Sequence, residues 1–230
     1  MEKMRFRALV LDHDDTVMDS TRHVHYPAFI LGMEELRPAY ASLSLDDFFL
    51  LNLKPGIVAF YREVIGLDDA EYQREYDIWQ EYVREHIPAA FPAMARLIRR
   101  FHAAGGILCV SSHSVSANIY RDWEANGLPT PSAVYGWELP PDKRKPAPYA
   151  LLEIMERFSL RAEEILVVDD LRFGFEMAEC CGVPFAGAGW AYDVPEIRDY
   201  MRGVSERFFT EPEELERYIF CEDEKESWQM

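Results

Sequence analysis

The sequence has few cysteines, few basic residues and no long apolar run, and each shortage excludes a class of protein. Four of the 230 residues are cysteine, without a Cys-x-x-Cys pair, so we expect free thiols rather than disulfides or a zinc site. Lysine and arginine number 24 against 41 acidic residues, and the net charge of −17 opposes binding to nucleic acid or an anionic membrane. No stretch approaches the roughly 20 apolar residues that cross a membrane.

The amino terminus also lacks the pattern of a secretory signal. Residues 1–7 lead from a charged start into a strand-length apolar segment, without a hydrophobic signal region or a small-residue cleavage site. We therefore expect a cytoplasmic protein. Its expected partner is a small molecule, and its oligomeric state is either a monomer or a homodimer. With 49% hydrophobic residues, the chain is long enough to form one domain, with or without a modest insert.

Three short apolar runs are each followed directly by polar side chains. Their length and composition predict buried strands, and from residue 90 to 205 such runs alternate with helical patterns, as in βαβ units. Polar groups beyond the ends of parallel strands converge on one edge of a sheet, where open α/β folds bind ligands. This pattern favours an enzyme. The runs are Phe6–Leu11 before Asp12 and Asp14, Gly106–Val110 before Ser111, and Ile165–Val168 before Asp169 and Asp170.

A long interval separates the first two predicted strands. Residues 13–105 are several times the roughly 30 residues of a βαβ unit, and the strand signal disappears between residues 19 and 87. Aromatic and apolar residues recur there at helical spacing, which predicts a helical bundle. We expect an α/β core of residues 1–18 and 88–230, with a helical insert, 19–87, that covers the site as a lid. We interpret the residues at this spacing as packed core: Tyr72, Tyr76, Trp79, Tyr82 and Val83.

The acidic residues predict a metal site. Asp12 and Asp14 point to one side of an extended segment, about 6–7 Å apart at their Cα atoms, and repel each other. Asp169 and Asp170 add two carboxylates at a neighbouring strand end, and Lys145 alone cannot neutralise this cluster. A divalent cation with oxygen ligands resolves the repulsion, and Mg²⁺ suits such a donor set. The alternative is that the Asp169–Asp170 pair only caps the following helix.

The same residues are suited to phosphoryl transfer. Asp12 is placed to attack phosphorus and form an aspartyl-phosphate, and Asp14 to protonate the leaving oxygen. Ser111 is placed to donate to a phosphoryl oxygen, and Lys145 to balance its charge. Lys145 lies in a Lys-Pro-Ala-Pro segment whose prolines stiffen the approach to the next helix. Lys143 and Arg144 are the alternatives to Lys145.

Taken together, these segments resemble the four motifs of the haloacid dehalogenase (HAD) superfamily over residues 6 to 200. The first motif is Asp-His-Asp-Asp-Thr at residues 12–16. The resemblance implies a Rossmann-like parallel sheet with an inserted α-helical cap, as in β-phosphoglucomutase-like phosphatases. It also implies the following roles: Asp12 as nucleophile, Asp14 as acid/base, Ser111 and Lys145 on the phosphoryl group, and Mg²⁺ held by Asp12, the Asp14 carbonyl, Asp169 and Asp170.

Two positions depart from the common family pattern, and two others are further candidates. Asp15 stands where many members have glycine, and Gly174 stands where many phosphatases have a second aspartate. The second departure resembles the β-phosphoglucomutase-like branch, in which both adjacent acids serve the metal. Ser112 and His113, beside Ser111, are candidate substrate-binding residues. A helix-capping or solvent-exposed role is the alternative for His113.

The acid at position 14 indicates which type of bond the protein cleaves. Family members that cleave carbon–halogen or phosphonate bonds lack an equivalent of Asp14, so its presence favours transfer from an oxygen ester. We expect a Mg²⁺-dependent phosphatase that acts on a small phosphorylated metabolite. A phosphomutase of the β-phosphoglucomutase type and a non-catalytic phosphometabolite sensor are the alternatives.

Overall fold

The computed structural model describes residues 2–221, and within them a six-stranded parallel sheet forms the centre of the molecule. The spatial order is β3-β2-β1-β4-β5-β6, so the first strand in sequence lies in the middle of the sheet. The strands are β1 (Ala8–Leu11), β2 (Ile107–Ser111), β3 (Ala133–Tyr135), β4 (Ile165–Asp169), β5 (Phe185–Ala188) and β6 (Arg207–Phe209).

Helices cover both faces of this sheet and fill the interval between β1 and β2. They are α1 (Tyr26–Leu36), α2 (Leu45–Leu53), α3 (Ile57–Ala59), α4 (Asp69–Glu85), α5 (Pro92–Ala103), α6 (Ser116–Ala125), α7 (Tyr149–Phe158), α8 (Arg172–Cys181), α9 (Pro195–Val204) and α10 (Pro212–Ile219). A π-helical turn, Thr21–His25, precedes α1, and another, Phe60–Val64, continues α3. No helix among residues 2–221 is long and apolar enough to span a membrane.

The central strand is buried on both faces. Leu9 and Leu11 of β1 pack into the core that includes α5, α6 and α10, while Ala8 and Val10 pack into the core that includes α7, α8 and α9. A strand covered on both sides is apolar at every position, which explains the unbroken apolar run in the sequence. The predicted α/β class with a Rossmann-like parallel sheet is confirmed.

The register of the three central strands aligns their carboxyl ends. Leu11 lies opposite Val110 of β2 and Val168 of β4, and the backbone N–H of Asp12 donates to the Val168 carbonyl (2.9 Å). The residues after these positions therefore meet at one edge of the sheet, as the sequence pattern predicts.

The segment between β1 and α5 is helical. Within residues 21–85 no strand forms, and α1 packs against α4 around a small core that includes Phe29, Met33 and Phe60. Ser44 and Asp68 are the N-cap residues of α2 and α4. Each side chain accepts a hydrogen bond from the backbone N–H of the third residue of its helix. The division into a core, 1–18 and 88–230, and a cap, 19–87, stays a prediction, and residues 222–230 of that core lie outside the described part.

Candidate active site

Three buried carboxylates meet at the carboxyl edge of the sheet. Asp12 follows β1, Asp169 ends β4 and Asp170 follows it, and oxygens from all three lie within 4.8 Å of one another. Lys145 reaches them from the loop before α7, and its Nζ donates to Asp12 Oδ1 (2.7 Å) and Asp169 Oδ2 (2.6 Å). These four side chains form a charged group that is almost fully shielded from solvent.

The negative charge of this group exceeds what Lys145 neutralises. Burial raises the pKa of Asp169 to about 7 and raises that of Asp170 well above its usual value. Burial lowers the pKa of Lys145, but the charges of Asp12 and Asp169 outweigh it, so the pKa is raised and the ammonium is retained. Three converging carboxylates with one cation suit a divalent ion with oxygen ligands, so the donor set fits Mg²⁺.

Asp170 is oriented by neighbours outside the sequence motifs. Its Oδ2 accepts a hydrogen bond from the Tyr192 hydroxyl (2.8 Å), and its Oδ1 lies 3.4 Å from the Thr16 hydroxyl. Tyr192 lies beyond β5, and no spacing in the sequence connects it with the site. The pair at 169–170 does not simply cap a helix, because α8 begins at Arg172 and the Asp170 carboxylate points to Tyr192.

Asp14 lies beside this group and is held separately. Its Oδ1 accepts hydrogen bonds from Ser20 (2.7 Å) and His25 (2.8 Å), and its Oδ2 accepts one from Ser114 (2.5 Å). Burial opposes ionisation, but His25 and these hydrogen bonds outweigh it and hold the pKa of Asp14 well below its usual range. Asp14 is therefore an oriented carboxylate. Neither His25 nor Ser114 was found from the sequence, although Ser114 belongs to the polar run after β2.

A tryptophan of α4 determines which nitrogen of His25 carries the proton. Burial lowers the pKa of His25, but the adjacent Asp14 charge outweighs it, raises the pKa and favours the protonated imidazole, whereas the contact with Trp79 fits the neutral imidazole. The Trp79 indole N–H donates to His25 Nδ1 (3.0 Å), so that nitrogen is the acceptor. The proton lies on Nε2, which donates to Asp14. A helix of the segment between β1 and α5 thus contacts the candidate acid/base through one imidazole.

Asp15 occupies a left-handed backbone conformation, at the position where many members of the resembled family have glycine. Its φ is +57°, in the left-handed region that glycine adopts freely and aspartate tolerates better than most residues. Its carboxylate accepts a hydrogen bond from the Thr21 backbone N–H (3.1 Å), at the start of the π-helical turn. Burial raises its pKa to about 7. The extra acid thus serves the turn that leads into α1.

The structure places Ser112, and not Ser111, at the cavity. The sequence placed Ser111 just beyond β2, but the strand includes it, so its side chain follows the strand alternation. The Ser111 hydroxyl lies 3.7 Å from Met177 Sδ in the core. Ser112, on the opposite side, lines the cavity beside Asp12. The expected contact of Ser111 with a phosphoryl group is therefore not supported by its position.

His113 forms part of the cavity wall and neither caps a helix nor lies free in solvent. Its Nε2 hydrogen bonds to the Lys145 backbone carbonyl (2.9 Å), and its ring contacts Phe173 at 5.2 Å between centroids. Burial lowers its pKa to about 4, and the Lys145 charge adds to this effect. His113 is therefore neutral at pH 7 and holds the loop that carries Lys145.

Gly174 allows the close approach of α8 to the Asp169 carboxylate. A Cβ at position 174 would overlap the Asp169 side chain. An aspartate, as in many phosphatases of the family, has no room here while Asp169 keeps this position. The departure at 174 is therefore linked to the orientation of Asp169 toward Lys145.

A cavity of about 860 Å³ extends from the acids toward the helical segment. Tyr72, Tyr76 and Trp79 line it, so the interpretation of these rings as packed core is wrong for their cavity-facing sides. Val83 is buried, as predicted. The helical period was identified correctly, but one face of α4 is directed at the cavity. From α2 and the π-helical turn at 60–64, three further rings line this end: Phe48, Phe49 and Tyr61.

The fold and this cluster define an α/β enzyme with a carboxylate site at a strand edge, and comparison with known proteins gives the family. The model of the haloacid dehalogenase-like hydrolases matches residues 9–188. No curated protein sequence matched the chain. The chain belongs to the haloacid dehalogenase-like hydrolase family and is therefore a hydrolase.

Solved structures share this fold at low sequence identity. A predicted phosphoglycolate phosphatase from Haemophilus somnus is 16% identical, with a TM-score of 0.73, over 92% of this chain and 96% of that one. A family protein from Streptococcus pneumoniae is 16% identical, with a TM-score of 0.72, over 93% and 98%. CbbY from Rhodobacter sphaeroides, solved with xylulose-(1,5)bisphosphate, is 16% identical, with a TM-score of 0.63, over 90% and 95%.

Proposed function

We propose that this hydrolase is a Mg²⁺-dependent phosphatase that cleaves a small phosphorylated metabolite through an aspartyl-phosphate on Asp12. The observation that carries the proposal is the buried group of Asp12, Asp169 and Asp170 with Lys145 at the base of a large cavity. The similarity to structures described as phosphatases, or solved with a sugar bisphosphate, agrees with this reaction class.

Lys145 and Ser112 are suited to hold the phosphoryl group. Lys145 already donates to Asp12, so it also neutralises charge on a phosphoryl group that approaches this oxygen. Ser112 takes the role that the sequence assigned to Ser111, because its hydroxyl borders the cavity. The metal ligands in this proposal are Asp12, the Asp14 carbonyl, Asp169 and Asp170. A bound Mg²⁺ supplies positive charge for the phosphoryl oxygens.

Asp12 and Asp14 divide the covalent and proton-transfer steps. An Asp12 oxygen bonds to phosphorus as the bond to the leaving oxygen breaks, and Asp14 gives that oxygen a proton. Water then attacks the phosphoryl group on Asp12, and Asp14 takes the proton from this water. The free protein holds Asp14 ionised, but a substrate phosphoryl group beside it favours protonation through like-charge repulsion.

The helical segment acts as a cap in this proposal. Residues 19–87 leave the sheet directly after the first motif, and α4 reaches Asp14 through Trp79 and His25. Contact between the cap and the acid/base links cap position to the geometry of Asp14. A cap in contact with the core also excludes bulk water from the aspartyl-phosphate, except for the water that hydrolyses it.

The test is the release of inorganic phosphate from a panel of phosphorylated metabolites, with Mg²⁺ or with EDTA. We expect turnover with Mg²⁺, little with EDTA, and a loss of about 10³-fold or more in Asp12→Asn, which removes the nucleophile. The matched control is Asp142→Asn, the same change at an exposed position.

Two results would contradict the proposal. Full activity of Asp12→Asn would exclude the aspartyl-phosphate, and full activity in EDTA would exclude the metal. If the wild type releases no phosphate from any substrate, the phosphomutase and sensor alternatives gain support. An isomerisation assay on hexose phosphates then separates those two.

A further inference from the structure

A buried carboxyl in the cap wall of the cavity has no role in the phosphoryl chemistry. Glu75 of α4 lines the cavity and is 5% exposed. Its Oε1 accepts a hydrogen bond from the Tyr61 hydroxyl (2.5 Å), and its Cγ lies beside Gly32 of α1. Its Oε2 makes no hydrogen bond with residues 2–221. One oxygen of a buried carboxyl is therefore available to a ligand.

No cation of the described chain is paired with Glu75. Of the two arginines at this end of the cavity, Arg62 pairs with Asp69 (2.9 Å), and Arg144 lies 3.9 Å above the Trp137 ring. Burial raises the pKa of Glu75 to about 7, and the Tyr61 hydrogen bond only partly opposes it. A positive ligand group beside this carboxyl would supply the missing charge.

Aromatic rings surround the same part of the cavity. Tyr61, Tyr72, Tyr76 and Trp79 all line it. The Tyr76 and Trp79 rings lie 5.7 Å apart, whereas the Tyr72 ring already has the Arg62 guanidinium over it, 4.1 Å from its centroid. The faces of tyrosine and tryptophan rings attract cations, and several rings around one acid form the kind of site that binds ammonium groups. An apolar wall with a single buried acid suits a cation better than an anion.

We propose that Glu75 and these rings bind an ammonium group on the leaving-group side of the substrate. The substrate class is then the phosphate monoesters of amine-bearing alcohols or phenols. In this proposal the phosphoryl group contacts Lys145 and Asp12, the ammonium group contacts Glu75, and all three residues line the same cavity. The substrate class in this inference rests on the proposed phosphatase function, whereas the ammonium site itself does not depend on that function.

The test compares two esters that differ only in charge at the far end. They are 4-(2-aminoethyl)phenyl phosphate and 4-propylphenyl phosphate, in which a methyl group replaces the ammonium group and whose leaving phenols are of similar acidity. We expect the wild type to have a kcat/KM about tenfold or more higher for the cationic ester, because cation–π contacts and a carboxylate add to its binding. Glu75→Gln, which keeps an acceptor for Tyr61 and leaves the rings in place, should lower the ratio of the two values severalfold.

The matched control is Glu81→Gln, the same charge change at an exposed position of α4. It should keep the wild-type ratio. A purely structural role of Glu75 would lower kcat/KM for both esters in parallel and leave their ratio unchanged, which would overturn the proposal. A wild-type ratio near one would also overturn it.

Binding measurements separate this proposal from the proposed reaction. Calorimetric titration of both esters into Asp12→Asn, with and without Glu75→Gln, measures affinity without turnover. Tighter binding of the cationic ester that is lost with Glu75→Gln supports the ammonium site even if the wild type hydrolyses neither ester. Equal affinities for the two esters refute the ammonium site even if the phosphatase activity is established.

Discussion

Trp79, His25 and Asp14 form a chain of hydrogen bonds from α4 to the carboxylate proposed as acid/base. The indole N–H of Trp79 donates to Nδ1 of His25, so the neutral imidazole carries its proton on Nε2 and donates it to Asp14. The orientation of Asp14 therefore depends on a residue that does not touch it. Among side chains at this site, the imidazole has the largest effect on the ionisation of Asp14.

We predict that Trp79→Phe lowers kcat by about tenfold with a smaller change in KM, because His25 is then free to change tautomer and orientation. A shift in the pH dependence of kcat should accompany the loss, since Nδ1 becomes free to accept a proton. Steady-state kinetics across pH 5–9 provide the measurement. The control is Tyr82→Phe on the same helix, outside the cavity. Unchanged kcat and pH dependence would show that the indole only fills space.

Because the pKa of Glu75 is raised, we predict that the stability of the protein depends on pH, which can be measured without substrate. Its pKa rises from the usual 4.5 to about 7 on folding, so its ionisation is unfavourable to the folded state. The cost is absent below pH 4.5, grows as pH rises toward 7, and is constant above it. Glu75→Gln should therefore gain free energy of unfolding relative to the wild type over this interval, by up to about 3 kcal/mol. A difference that does not vary between pH 4.5 and 7.5 would contradict this.

Between elements, the site depends on how closely α8 approaches the end of β4. Gly174 lies on α8 against the Asp169 carboxylate, and Leu171 N–H donates to the same carboxylate (2.8 Å). The Asp169 side chain is thus held between the start of α8 and Lys145. No other residue type fits at 174 while this arrangement is kept.

We predict that Gly174→Ala displaces Asp169 and lowers phosphatase activity by at least about tenfold, with a stability loss of about 1–3 kcal/mol from overpacking. The control is Gly203→Ala on α9, where a Cβ meets no atom within 4 Å. That change should raise helix stability by about 0.5–1 kcal/mol. Chemical denaturation and steady-state kinetics measure both effects. Wild-type activity in Gly174→Ala would mean that Asp169 tolerates displacement.

The molecule as a whole concentrates buried negative charge where three chain segments meet. Asp12 lies far in the sequence from the adjacent pair Asp169 and Asp170, with Lys145 on a third segment, and the folded sheet holds oxygens of the three acids within 4.8 Å of one another. Only the folded state assembles this donor set, so a metal that binds it stabilises the fold by mass action.

We predict that Mg²⁺ at about 100 times its Kd raises the free energy of unfolding by about 2.7 kcal/mol. Asp170→Asn should lose most of this gain, because one charged ligand is removed, while Asp142→Asn should keep it. Thermal unfolding with Mg²⁺ or EDTA measures the difference. An equal Mg²⁺ effect in wild type and Asp170→Asn would place the metal elsewhere.

The sequence by itself determined the class of fold and the position of the acidic cluster. Unbroken apolar runs predicted the central strands, because a strand covered on both faces needs apolar side chains at every position. Acids directly after two of these runs located the carboxylate cluster, since the ends of parallel strands meet at one edge. Both inferences rest on local sequence patterns and require no knowledge of contacts between distant residues.

Tertiary structure alone decided which neighbouring side chains face the cavity and which distant ones support it. Ser112 rather than Ser111 faces the cavity because β2 ends one residue later than predicted, and successive strand residues point to opposite faces. His25, Tyr192 and Glu75 reach the site or its cavity through helix packing and loop positions that no sequence spacing encodes. A one-residue shift in a strand or a rotation of a helix changes these contacts. Only long-range packing determines where a strand ends and which way a helix faces.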